Sequence, residues 1–218
     1  RKDGTMAPLA DLKYINLTVS FIKGQVNINS AKVLNYNPVH GESLTGAENE
    51  GRLKVFALVQ FFREYIPGFE NAQLLATAEH IGVRESRRII GEYVLNKDDV
   101  ETGRMFPDNI ALGCYPIDIH QTDGRPAQII YCKSGAYGIP YRCLLPRKIE
   151  NLLIAGRPIS TTREAFGSTR VMPTCMAVGE AAGTAAALAV KTRVPLRDVN
   201  VGELQELLQQ SQVKIYYN

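Results

Sequence analysis

"RVMPTCMAVGEAAGTAAALAV", residues 170–190, is the stretch on which the fold turns. From Thr174 onward it holds good helix formers and no further breaker. Pro173 suits a first helical turn, where its missing N–H removes no ladder bond. The spacing therefore predicts a helix, with Gly179, Gly183 and Ala187 in one row and Ala181, Ala182, Ala185, Ala186 and Ala189 in the others. Such a helix is small-sided nearly all round. Close packing on a sheet or another helix explains it most simply, since glycine costs about 1 kcal/mol of propensity and is accepted for close approach. On that reading Gly183 lies in a packed interface. A membrane span fits less well, because Glu180 interrupts the run and Lys191 and Arg193 close it below the ~20 apolar residues required. A third reading is a helix whose first N–H groups face an electron-rich ligand.

Working outward, the 218 residues can bury a substantial core and allow one or two domains. A net charge of +3 is too small to argue for nucleic acid, and no segment is expected to span a bilayer. The expectation is a soluble, globular protein with no nucleic-acid or membrane partner. The opening "RKDGTMAPLA" has neither an initiator methionine nor an apolar signal region, so Arg1 reads as a fragment boundary. Cys114, Cys132, Cys143 and Cys175 show no CxxC spacing, and His40, His80 and His120 are scattered, so no metal site is expected. This cysteine usage suits a reducing, cytoplasmic compartment.

Residues 17–38 alternate in places and predict one or two strands ending at Asn37-Pro38. Residues 45–66 place Leu53, Phe56, Ala57, Gln60 and Phe61 at helical spacing, and Pro67-Gly68 stops that helix. "RIIGEYVL", 88–95, has strand character, and residues 98–136 suggest short strands and loops. "IENLLIAGR", 149–157, predicts a strand ending in a glycine turn before the small-residue helix, an α/β element. A terminal helix follows, with Asn200 as its N-cap and Val201, Leu204, Leu207 and Leu208 on one face.

Three stretches go beyond generic physics: "IGVRESRRIIGEYVL" at 81–95, "YGIPYRCLLPRKIENLLIAGRPIS" at 137–160 and "STRVMPTCMAVGEAAGTAAALAV" at 168–190. Together they closely resemble the C-terminal half of the FAD-dependent oxidoreductase family, whose fold is like that of glutathione reductase. The similarity runs from about Gly24 to Val201. It implies a mixed α+β and α/β fold: a substrate-side sheet with helices over 1–145, and the closing strand and helix of an FAD-binding domain over 146–218. In the family a G-x-G-x-x-G turn grips the FAD pyrophosphate, and no such turn follows a strand in this sequence. The resemblance thus implies a missing N-terminal FAD-binding half as partner, with FAD absent or weakly held by the isolated chain, which would be inactive alone. A homo-oligomer is compatible with it.

The resemblance also implies cofactor contacts. The helix start would face the pyrimidine edge of the flavin, through Arg170, Val171, Met172 and Thr174, and a positive helix end there would favour the anionic reduced flavin by about 0.3–2 kcal/mol. Gly156 and Arg157 stand where many related flavoproteins carry Ala-Gly-Asp, the aspartate holding the ribityl chain. Arg157 would then contact a phosphate or the flavin, the alternative being an ion-paired arginine at a strand end.

For chemistry, "RESRR" offers Arg84 and Arg87 as binders of an anionic substrate through a planar donor fork, against the plainer reading of a solvated turn. Asp118 and His120 in "YPIDIH" are two apart and share a face if the segment is a strand. A histidine oriented by a carboxylate can accept a proton during oxidation, whereas the plainer reading is an exposed pair at a strand end. Tyr137, Tyr141 and Arg142 are further candidates for the same cavity, against ordinary turn packing. The functional expectation is the C-terminal portion of an FAD-dependent enzyme oxidising a small-molecule substrate. Two alternatives stand beside it: a non-catalytic binding fragment, and one subunit of a split flavoprotein.

Overall fold

The computed structural model describes Leu9, Leu12, residues 14–120 and residues 127–217, which fall into two units, 1–86 and 87–218. Residues 121–126 of the expected strand-and-loop stretch lie outside the described residues.

In the first unit, β1 (Leu17–Val19) and β2 (Val26–Ile28) form an antiparallel hairpin with Leu17 opposite Ile28 and Val19 opposite Val26. The chain turns between them at Gly24, whose φ of +83° is a conformation that side chains disfavour. The helix α1 (Gly41–Tyr65) starts four residues before its expected place and stops at Ile66, ahead of Pro67. Its buried face is Ala47, Lys54, Ala57, Leu58 and Phe62, while Leu53 and Phe56 are 63% and 60% exposed. The expected apolar stripe is therefore rotated, because Phe62 packs on Phe69, with ring centroids 4.9 Å apart. Lys54 is tolerated on that face because its Nζ donates to the Lys32 carbonyl at 2.7 Å and pairs with Glu50 at 2.7 Å.

The second unit is built on β3 (Asn109–Gly113) and β6 (Tyr137–Pro140), an antiparallel pair with Gly113 opposite Tyr137 and Leu112 opposite Gly138. Small residues are required here: a Cβ at Gly113 would lie 2.2 Å from Tyr137 Cζ, and one at Gly138 would lie 2.0 Å from Asn109 Oδ1. A second antiparallel pair joins β4 (Ile117–Ile119) to β5 (Gln128–Ile130). The short α2 (Lys97–Thr102) begins in a capping box between Asn96 and Asp99 and packs on β6. Three further helices complete the unit: α3 (Arg163–Thr169) against β4, α4 (Met172–Thr192) against β3, and α5 (Val201–Gln210) against α4 and β3. The core between them includes Leu95, Ile110, Ile117, Tyr137, Ile139, Leu144, Ile159, Ala181, Ala185, Leu188, Leu204 and Ile215. Asn200 caps α5 as expected, its side chain accepting from Glu203 N–H at 3.2 Å.

The architecture mixes helices with small antiparallel sheets, an α+β arrangement. Two expected strands do not form. Residues 88–95 make only single bridges, Gly91 to Pro146 and Leu95 to Thr161, and residues 149–157 make no ladder, Ile154 N–H reaching the Leu144 carbonyl at 2.9 Å. A strand is defined by its neighbour, and among the described residues no extended segment runs alongside either one for long enough. The expected α/β element is thus an extended run followed by a helix. The expected boundary near residue 145 falls inside the second unit, whose core draws on both sides of it.

The α4 helix corrects two further expectations. At 21 residues it is long and apolar enough, by length and composition, to cross a membrane; its inner face, however, packs on β3 as a core helix does. Its buried face is Thr174, Val178, Ala181, Ala185, Leu188 and Ala189, whereas Gly179 and Gly183 point away, with nothing within 4 Å of a Cβ built on either. Alanine rather than glycine is what lets α4 approach β3. Gly183→Ala is accordingly expected to stabilise this chain by about 0.5–1 kcal/mol, through helix propensity alone. A urea midpoint that falls on substitution would show instead that Gly183 sits in a packed contact.

Candidate functional site

The strand β4 sends Ile117 into the core and carries Asp118, itself buried, beside it. Helix α3 comes close enough to cover that carboxylate because residue 167 is glycine: a Cβ there would stand 3.1 Å from the Asp118 carbonyl oxygen. The chain leaves α3 at Arg170, whose Nη2 donates to Asp118 Oδ2 at 2.8 Å. His120 Nε2 lies 3.3 Å from Asp118 Oδ1. The Tyr115 hydroxyl reaches Oδ2 at 3.5 Å, and the Arg170 guanidinium stands 6.0 Å from the Tyr115 ring centroid. Asp118 is thus held between a fixed cation and an imidazole.

A buried relay fixes the turn from which β4 departs. Tyr137 OH and Ser168 Oγ are 2.5 Å apart, and Ser168 also bonds the Tyr115 carbonyl oxygen. Burial pushes the Tyr137 hydroxyl well above its ordinary pKa, so it remains protonated.

The second group of candidates meets at the start of α4. Val171 is its N-cap and offers no capping side chain, and Met172, the first helical residue, is 80% exposed. By contrast α3 is capped by Thr162, which accepts from Ala165 N–H at 3.3 Å. Gly156 adopts φ +77° with open space where a Cβ would project, and it leads into the exposed Arg157. The Cys175 thiol, in the first turn of α4, is pushed up by burial, with the charge of Arg157 opposing that shift. Thr174 is buried at the same turn. One residue before Arg170, Thr169 buries a hydroxyl oxygen that has no hydrogen-bond partner among the described residues.

The two groups are therefore contiguous: Arg170 pairs with Asp118, and its successor Val171 caps α4. Sequence reasoning took Arg170 for a cofactor contact and missed its partnership with Asp118, which joins residues 52 positions apart. It also missed Tyr115, Ser168 as an anchor, and Cys175. Arg84 and Arg87 are both exposed, Arg84 in the first unit and Arg87 in the second. It is Arg88 that turns inward, its Nε donating to the Thr161 carbonyl at 3.2 Å and its guanidinium lying 5.2 Å from the Phe166 ring centroid. Tyr141 donates to the Leu196 carbonyl at 2.8 Å, and Arg142 forks onto Asp108 at 2.9 and 3.0 Å, so these two have structural partners. Among the described residues no cluster of three His, Cys, Asp or Glu is placed to hold a metal.

Comparison with known families finds a match over residues 4–208 to a family model described as FAD dependent oxidoreductase. No curated protein sequence and no solved structure matches the chain significantly.

Proposed function

The chain belongs to the FAD dependent oxidoreductase family, and from that premise we propose that it is the substrate-side and closing part of a two-domain flavoprotein of glutathione-reductase-like fold. Its functional division falls near residue 145, and its reaction is the oxidation of a small molecule. The observation that carries this reading is the contiguity of an uncapped helix start, flanked by Arg157, with a carboxylate–histidine pair one ion pair away.

The residues at the start of α4 fit an electron-rich flavin edge. The N–H groups of Met172 and Thr174 belong to the positive end of a 21-residue helix, Arg157 adds a full cation, and the open side of Gly156 admits a close approach. When bound, FAD supplies the hydride or electron acceptance that side chains cannot. Arg157 would take over the contact made by aspartate in many related flavoproteins, pairing with a phosphate or the flavin itself. Arg170, held by Asp118, keeps its charge in place at the junction. His120, whose imidazole stands beside the Asp118 carboxylate, accepts the substrate proton.

The pyrophosphate-gripping turn is not among these residues, so the chain of residues 1–218 is expected to hold FAD only weakly by itself. Flavin absorbance after gel filtration of the chain mixed with FAD tests this. A stoichiometrically yellow chain would overturn the division of labour proposed here. The open face of α4, with Met172, Met176 and Val190 exposed, favours a separate FAD-gripping half that covers it, in the same polypeptide or in a second subunit.

A further inference from the structure

The Asp118 carboxylate serves a guanidinium and an imidazole on separate oxygens. Arg170 Nη2 donates to Oδ2 at 2.8 Å, and His120 Nε2 stands 3.3 Å from Oδ1. The Arg170, Asp118 and His120 side chains are 16%, 11% and 23% exposed, so salt and water screen them little. Buried contacts on α3 fix this placement. Gly167 lets the helix lie against Asp118, and Ser168, next along it, bonds the Tyr115 carbonyl oxygen and stands 2.5 Å from the Tyr137 hydroxyl. The helix then ends at Arg170.

The summed charge of the trio governs the state of the imidazole. With Arg170 present, guanidinium and carboxylate cancel, and a proton on His120 adds an uncompensated charge to a poorly solvated place. Without Arg170 the same proton would neutralise Asp118 and be held more firmly. A histidine that is to accept a proton must meet its substrate without one. Among the described residues, the elements packed against β4 bring Arg163 and Glu164 in the first turn of α3 and no charge on β5, and the Tyr115 hydroxyl is a further titratable group 3.5 Å from Oδ2. Asp123 and Arg125 lie outside the described residues.

We propose, on the reading of His120 as the proton acceptor, that Arg170 is a positioning residue for that base: by neutralising Asp118 it keeps the imidazole unprotonated and ready at neutral pH. Arg170 itself exchanges no proton with the substrate. Its effect reaches the reaction only through Asp118.

NMR of the histidine rings titrates His120 in the chain of residues 1–218, with no substrate or flavin needed. His120→Asn identifies its signal among the three histidines. Arg170→Gln, which removes the charge and keeps a polar side chain, is expected to raise the His120 midpoint by about one pH unit. Arg170→Lys keeps the charge and should stay closer to the wild type, while Asp118→Asn should fall below it. His40 and His80, both in the first unit, should not move in any of these variants. A midpoint in Arg170→Gln equal to or below that of the wild type overturns the proposal. If that variant fails to fold, an Asp118→Asn midpoint no lower than the wild type does so instead. Failure of the base assignment reads differently: the midpoints move as expected while His120→Asn reduces flavin at the wild-type rate, and Arg170 then has no base to position.

Discussion

Exchange of His120 for asparagine is expected to slow flavin reduction by about 10²- to 10⁴-fold in the FAD-loaded protein, with the flavin still bound. The asparagine amide ends short of the place where Nε2 stands 3.3 Å from Asp118, so the substitution removes the basic imidazole while Arg170 continues to pair with the carboxylate. A substrate is first found by screening hydroxylated and amine compounds for anaerobic bleaching of the flavin, and stopped-flow absorbance then gives the rate. Bleaching at the wild-type rate would return His120 to the plainer reading of a strand-end histidine paired with its neighbour. Loss of the flavin would mark a structural role.

The second large effect concerns stability. Asp118→Ala is expected to cost about 3–5 kcal/mol, because it breaks a largely buried ion pair with the Arg170 guanidinium. The two side chains are only 16% and 11% exposed and meet at 2.8 Å, so water screens the pair little. The substitution also releases the junction between α3 and α4, since Arg170 ends one helix and Val171 caps the next. Urea denaturation of the chain measures the loss. A change below about 1 kcal/mol would place the pair among weakly contributing surface bridges. Together the two variants separate proton transfer from architecture: His120→Asn should leave the denaturation midpoint nearly unchanged, while Asp118→Ala should move it strongly.

Local chemistry accounts for what was legible along the chain. Pro173 in the first turn and an unbroken run of helix formers predict α4, which is observed from Met172 to Thr192. Asn200 with its capped first turn predicts α5, and Pro67-Gly68 marks where α1 must end. Asp118 and His120 do meet, because two residues in extended backbone project to one side, a relation that spacing alone contains.

Much of what needed a distant neighbour was illegible. Residues 88–95 and 149–157 have strand-like composition and yet form no ladder, since a strand exists only where another segment offers its N–H and C=O groups. The small-residue helix has two faces of similar composition, and nothing local says whether alanine or glycine turns inward. Only contact with β3 selects Ala181 and Ala185 and leaves Gly179 and Gly183 open. Arg170 looked like one more residue of a helix start until α3, let in by Gly167, delivered it to Asp118. The sequence by itself therefore determined α4, α5 and the C-terminal end of α1, the Asp118–His120 pair and the family resemblance, all carried by bonds and motifs within a few residues, while α2, α3 and the start of α1 escaped it. Tertiary structure alone decided which faces are buried, which extended runs become strands, and the Asp118–Arg170 bond that joins the two parts of the site, because each depends on groups that only folding brings together.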